Sequence, residues 1–171
     1  MTRGLRNNNP LNIRHSADRW QGARVEQTDK AFVQFTTMAY GYRAAWKVLD
    51  SYWKHFRMKK LLYNVRNIIA RWAPPNENDT EAYIRHVVNF SGLGANENMV
   101  RPSNGRQLER MALLIRAMTC VENGTTMDKV DTDAIWEGYD LAWPGRRWTE
   151  KEEEEEDPSI GDEYWKWSPE G

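Results

Sequence analysis

Three groups of residues in this sequence have the types needed for acid–base chemistry. Glu122 stands immediately before Asn123-Gly124, a pair that ends a helix through a left-handed cap. A carboxylate there faces the negative end of the helix macrodipole, and apolar neighbours on the helix promote its desolvation. Both effects raise a pKa, which suits a general acid working near neutral pH. A solvent-facing glutamate on a last helical turn is the plainer reading of the same position. The second group is Glu26 with Thr28-Asp29. The third is Glu77, inside Trp72-Ala73-Pro74-Pro75-Asn76-Glu77-Asn78-Asp79-Thr80, where the prolines make a rigid polar corner. Asp29 also has structural readings. It suits ordinary turn chemistry, and Arg43 has the type to pair with a buried carboxylate such as Asp29 or Glu77, which would lower that acid's pKa and remove its catalytic value.

The elements that must position these groups can be read from periodicity. The run Arg3-Gly4-Leu5-Arg6-Asn7-Asn8-Asn9-Pro10-Leu11-Asn12-Ile13-Arg14 is rich in side chains that offer the backbone local hydrogen bonds and resist regular helix. Weak alternation through residues 18–36 around Gln27-Thr28-Asp29 predicts a short hairpin. Residues 39–56 carry Ala44, Ala45, Val48, Leu49, Tyr52, Trp53 and Phe56 on one helical face. A second helix over residues 65–72 runs into Pro74-Pro75, and a third, capped by Asp79 or Thr80, carries Tyr83, Ile84, Val87 and Val88 before Gly92. The pattern places the longest helix from Ser103 or Asn104 to Asn123, with Leu108, Met111, Ala112, Leu114, Ile115, Met118 and Val121 inward. A last short helix spans residues 132–143. The expectation is a mainly α, single α+β domain of five to six helices with one small β-hairpin.

The net charge of −1 conceals an asymmetry. Residues 150–171 hold ten acidic and two basic side chains, whereas residues 1–149 hold 15 acidic and 22 basic ones. Self-repulsion predicts a disordered acidic tail after a domain over residues 1–149, and Trp165 and Trp167 make a docking segment an alternative. A basic body suits an anionic polymer, either nucleic acid or bacterial cell wall. Nucleic acid is the weakest of these partners, because the charges are dispersed and no recognition module is present. One cysteine, Cys120, and three scattered histidines, His15, His55 and His86, offer neither a disulfide nor a metal cluster, and no cofactor is expected. No run is long and apolar enough to span a membrane, and no apolar N-terminal stretch reads as a secretory signal.

The run from Arg3 to Arg14, together with Gly41-Tyr42-Arg43-Ala44 and the stretch from Arg71 to Thr80, resembles a family of phage and prophage virion-associated proteins, often labelled structural. The likeness extends from about Arg3 to Ala142. It implies synthesis in the bacterial cytoplasm, action in the virion or at the cell wall, and other virion proteins as partners. A second resemblance concerns mechanism. Asn9-Pro10-Leu11-Asn12-Ile13 with Trp20-Gln21-Gly22 is similar to the Asn-rich segment after the catalytic helix of cell-wall glucosaminidases, and the stretch from Glu77 through Tyr83 to Val87 is similar to one in lytic transglycosylases. In those lysozyme-superfamily enzymes the catalytic Glu ends a helix placed before the Asn-rich segment. Here the matching helix is Leu113 to Gly124, far downstream, so the resemblance implies a lysozyme-like domain or a circular permutant of one.

On that resemblance Glu122 would protonate a glycosidic oxygen in peptidoglycan, and Asp29, Glu26 or Glu77 would orient water or stabilise positive charge. Asn8, Asn9, Asn12 and Gln34 would hydrogen-bond the glycan, and Trp20, Trp72 and Tyr83 would stack on sugar rings. Each has a structural alternative: the large rings as core anchors, and the amides as partners of buried backbone. Two functions follow. One is a peptidoglycan glycosidase of muramidase, lytic transglycosylase or glucosaminidase type. The other is a non-catalytic virion or wall-binding protein of the same shape.

Overall fold

The computed structural model describes residues 1–147; the expected acidic tail, with Trp165 and Trp167, lies outside the described residues. Six α-helices follow one another: α1 (Arg3–Arg6), α2 (Met38–Met58), α3 (Val65–Trp72), α4 (Thr80–Ser91), α5 (Glu109–Asn123) and α6 (Thr132–Ala142). Their ends follow local chemistry. The side chains of Thr37, Asn64, Asp79 and Asp131 accept hydrogen bonds from first-turn amides of α2, α3, α4 and α6. Gly92 and Gly124, with φ of 74° and 60°, close α4 and α5.

Helix α2 is the longest, at 21 residues against 15 for α5. The expected one-sided stripe of α2 holds for Ala44, Ala45, Leu49 and Phe56, yet Trp46 is also fully buried. The reason is α6, which packs along a second side of α2. The two backbones approach so closely that a Cβ on Gly138 would stand 2.7 Å from the Arg43 amide nitrogen. Trp46 fills the seam, donating from Nε1 to the Ile135 carbonyl at 2.9 Å and meeting Tyr139 edge-on at 4.9 Å. On the other side, Tyr42 exchanges a hydroxyl bond of 3.0 Å with Thr119 of α5. Met111, Leu114, Ile115 and Met118 make α5 the central helix of the core, and α4 packs against it.

Several expectations are corrected. Arg3–Arg6, at the head of the run expected to resist helix, form α1, and the longest helix among the described residues is α2, not the one ending at Asn123. Helix α5 begins at Glu109, not at Ser103 or Asn104. The segment Pro102–Asn104 instead forms one 3-10 turn closed by Gly105 at φ 81°, and Asp50 Oδ1 accepts the Ser103 amide at 2.9 Å. The hairpin is also absent. Among the described residues, 18–36 make only the isolated bridges Arg14↔Phe32 and Ala23↔Phe35. Single backbone bonds, such as the Arg24 amide to the Gln34 carbonyl at 2.9 Å and the Thr36 amide to the Gly22 carbonyl at 2.8 Å, are supplemented by side chains: Gln27 Oε1 accepts the Gln34 amide at 2.8 Å, and Gln34 Oε1 accepts the Thr28 amide at 2.6 Å.

This loop region rests on the front of α2. Gly41 permits the approach, since a Cβ there would stand 2.0 Å from the Asn8 carbonyl oxygen. Leu114 has no exposed surface, and truncating such a residue removes both burial and packing. Leu114→Ala should cost about 2–5 kcal/mol of unfolding free energy in chemical denaturation.

Candidate functional site

The Asn-rich run comes back onto the C-terminal end of α5. Thr2 Oγ1 donates to Asn123 Oδ1 at 2.7 Å, and Asn123 Nδ2 donates to the Pro10 carbonyl at 2.7 Å and to the Thr119 carbonyl at 2.9 Å. With φ of 54°, Asn12 adopts a left-handed conformation that asparagine tolerates. From there its Nδ2 donates to Glu122 Oε1 at 3.4 Å. Tyr83, on α4, donates its hydroxyl to Glu122 Oε2, also at 3.4 Å. A carboxylate near the end of one helix is thus held between a loop amide and a phenol from a second helix.

Burial pushes the Glu122 carboxyl above its usual value, while the donors on Asn12 and Tyr83 and the charge of Arg14 pull against that rise. Burial, reinforced by the Glu122 charge, raises Tyr83 well above the ordinary phenol range, so it stays a donor. The result is a half-buried acid whose proton is retained to higher pH and whose anion still has two donors. Such a group can deliver a proton and take it back.

Among the expected site residues, Asn12 and Tyr83 join Glu122 directly. Trp72 packs half-buried against the core, its ring centroid 6.3 Å from that of Tyr52. The sequence reading missed Thr2 and Asn123. Their only signals were polar side chains next to the Asn-rich run and Glu122.

The other expected residues are engaged in holding the loops. Asn9 is fully buried, donating to the carbonyls of Ile13 at 2.9 Å and Val33 at 2.8 Å and accepting the Ile13 amide at 2.9 Å. Asn8 donates to the Phe35 carbonyl at 3.2 Å. Gln34 is buried and donates to Asn7 at 3.1 Å. Trp20 packs half-buried against the core. Glu26 and Glu77 are exposed, the latter on the turn closed by its amide bond to the Pro74 carbonyl at 3.1 Å.

Asp29 is an anchor. Arg3 grips it bidentately at 2.6 and 2.7 Å, Asn7 donates at 2.9 Å, and the amides of Ala31 and Phe32 donate at 2.9 and 3.0 Å. The guanidinium and these donors hold its carboxyl far below the usual carboxylate range. This is the ion pair foreseen for Asp29, with Arg3 as the partner in place of Arg43. An anion so stabilised is a poor base and a poor nucleophile.

Two clefts, of about 460 and 330 Å³, lie at the other end of α5 around Glu109 and Arg110. Thirteen residues of helix rise separate that end from Glu122, a distance of about 20 Å. Among the described residues no cluster of His, Cys, Asp and Glu could hold a metal ion, and no helix is long and apolar enough to cross a membrane.

The pKa directions set two pH tests. A folded-state pKa raised above 4.5 for Glu122 means that the native state binds the extra proton, so its stability falls as pH rises through the window above 4.5 and then levels. Glu122→Gln should therefore gain thermal stability relative to wild type at pH 7 and lose that gain below the ordinary glutamate range. Equal differences at both pH values would refute the buried-acid geometry. For Asp29 the sign is opposite, its contribution being present above the usual 3.8 and lost only in strong acid. Asp29→Asn should lower the melting temperature throughout the neutral and mildly acidic range. Tyr83→Phe should move the Glu122 carboxyl titration, followed by carbon-13 NMR, further upward, since it deletes a donor to the anion.

Comparison with known proteins gives one relationship of weight. No family model matches the chain. Protein P5 of Pseudoalteromonas phage PM2 is 38% identical to it over 143 residues, an alignment that covers 80% of this chain and 82% of the phage protein. Identity at that level over most of both chains shows common descent, and this chain belongs to the phage protein family that includes P5 of PM2.

Proposed function

We propose that this member of a phage protein family is a glycan-cleaving enzyme directed at peptidoglycan, with Glu122 as its general acid. The observation that carries the reading is the half-buried Glu122 carboxyl, raised in pKa and held between Asn12 and Tyr83. The Asn-rich run stands beside the end of the Glu-bearing helix in space although Asn12 precedes Glu122 by 110 positions in sequence. That is the arrangement expected of a circularly permuted lysozyme-like domain.

In the proposed reaction the Glu122 proton passes to the glycosidic oxygen as the bond to the anomeric carbon breaks. The resulting carboxylate, steadied by Asn12 and Tyr83, then takes a proton from the attacking oxygen nucleophile. Among the carboxylates expected to assist, Asp29 is neutralised by Arg3, while Glu26 and Glu77 stand exposed on turns. The chemistry therefore runs through one acid, with positive charge at the anomeric carbon met by the substrate's own N-acetyl oxygen, as in substrate-assisted glycosidases. Half-buried Trp72 supplies a flat face toward the sugar and Asn12 a polar edge, whereas Tyr83, expected from the sequence to stack on a sugar, is buried and serves as the donor to Glu122.

The second reading is a non-catalytic virion or wall-binding protein. The placement of Asp29, Glu26 and Glu77 away from the Glu122 contacts favours it, because among the described residues no second carboxylate joins Asn12 and Tyr83 at Glu122.

Turbidity clearance of purified cell walls separates the two. Wild type should clear walls, with activity declining as pH rises through the elevated Glu122 pKa. Glu122→Gln should lose about 10²–10⁴-fold, while Asp29→Asn should retain activity per folded molecule. Equal clearance by wild type and Glu122→Gln removes Glu122 from the mechanism. Absence of clearance by either, with the fold intact, leaves the non-catalytic reading.

A further inference from the structure

The N-terminal run that meets Glu122 is rich in arginine as well as asparagine. Residues 1–25 contain five Arg residues and a single acid, Asp18. Two of the arginines are spent on the loop itself. Arg3 is committed to Asp29, and Arg24 donates to the Phe35 carbonyl at 2.9 Å and the Arg6 carbonyl at 3.0 Å. Arg6, Arg14 and Arg19 are exposed, and the one whose charge acts on the Glu122 carboxyl is Arg14. Among the described residues no carboxylate or carbonyl accepts from the Arg14 guanidinium, which stands over the Phe32 ring at 5.2 Å from its centroid. A guanidinium carries several N–H donors in one plane and no acceptor, so these donors are open to an incoming anion.

The place of Arg14 is fixed by backbone and ring together. Arg14 bridges Phe32 in antiparallel fashion, the His15 amide donates to the Ala31 carbonyl at 3.0 Å, and the Val33 amide donates to the Ile13 carbonyl at 3.0 Å. The Phe32 ring under the guanidinium also carries that of Arg3, at 4.6 Å from the centroid, so one aromatic platform props two cations. Asp29 cannot serve both, because Arg3 already holds its two oxygens. Two positions before Arg14, Asn12 donates to Glu122 Oε1. The Arg14 charge thus reaches the acid, yet the two groups make no ion pair among the described residues. An exposed cation is held beside the Glu122 carboxyl without closing on it.

We propose that Arg14 is a specificity residue, binding a carboxylate on the substituent that the glycan carries beside the bond at Glu122. The inference rests on the reading of Glu122 as an acid directed at peptidoglycan. The planar fork of a guanidinium matches a carboxylate with two parallel hydrogen bonds. Muramyl sugars bear a lactyl ether that ends in a carboxylate, or in a stem peptide with carboxylates of its own. Chitin-type chains share the N-acetyl groups and carry neither. Asn12 and Trp72 address features common to both polymers, whereas Arg14 addresses the one that differs. Selection of the anionic glycan therefore falls to the residue whose donors are unused.

Calorimetric titration of the full chain carrying Glu122→Gln, which binds without cleaving, tests the assignment. Three tetrasaccharides serve as probes: chitotetraose, a glucosaminyl–muramyl repeat with free lactyl carboxylates, and the same repeat carrying stem peptides. At least one carboxylate-bearing probe should bind about tenfold more tightly than chitotetraose, and the gap should narrow at high salt. A preference for the free-lactyl probe places the anion on the sugar substituent; a preference for the stem-bearing probe alone places it in the peptide. Adding Arg14→Gln should bring the favoured probe down to the level of chitotetraose, and Arg14→Lys should restore part of the gap, with the melting temperature unchanged because the side chain is exposed. Equal binding of all three probes, binding of none, or a preference that survives Arg14→Gln overturns the proposal. Wall clearance by wild type alongside equal binding refutes the role of Arg14 and keeps the enzyme. A carboxylate preference without clearance removes cleavage and keeps the selection.

Discussion

The whole arrangement hangs on the clasp around Asn123. One amide side chain, buried at the last position of α5, accepts from Thr2 and donates to the Pro10 carbonyl and the Thr119 carbonyl. It spends its polar capacity joining the Asn-rich run to the end of the central helix. A buried amide left without these partners would carry a desolvation penalty of about 1–3 kcal/mol, so the loop is held in place by satisfaction of hydrogen bonds as well as by apolar burial. Glu122 precedes Asn123 in the same helical turn, so where the clasp sets the loop decides its Asn12 donor, while α4 brings Tyr83.

A second polar hub keeps that loop rigid. Asp29, Asn7, Asn9 and Gln34 supplement its single backbone bonds with side-chain bonds, and Arg3 closes the hub over Asp29. Two carboxylates read from sequence as acid–base candidates therefore end with opposite electrostatics. Glu122 loses water without gaining a cation in direct contact, and its pKa rises. Asp29 gains a bidentate cation and three further donors, and its pKa falls. Environment, and not residue type, separates an acid from an anchor.

Charge and apolar surface are likewise distributed by the fold. The cation-rich stretch of residues 51–76 is drawn together at one end of the molecule because α2 must stop and reverse into α3, and the Schellman ending turns Leu61 and Leu62 outward. Glu122 sits at the junction of α4, α5 and the N-terminal run. The exposed cation-rich end of α2 and the half-buried Glu122 carboxyl thus occupy different parts of one core.

The sequence by itself determined the helices. Apolar spacing at 3.6 residues, caps at Asp79 and Gly124, and the stop at Pro74 are local signals, and α3, α4 and α6 lie close to where those signals put them. The sequence also singled out Glu122, Asn12 and Tyr83. What it could not decide was the partner of each polar side chain, because a hydrogen bond between positions 110 residues apart leaves no periodic trace. Local alternation suggested a hairpin where long-range side-chain bonds made a braced loop, and Arg43 was the arginine in view for Asp29 where Arg3 holds it. Tertiary structure decided these points, since burial and proximity, which set both pKa and pairing, exist only once the chain has closed on itself.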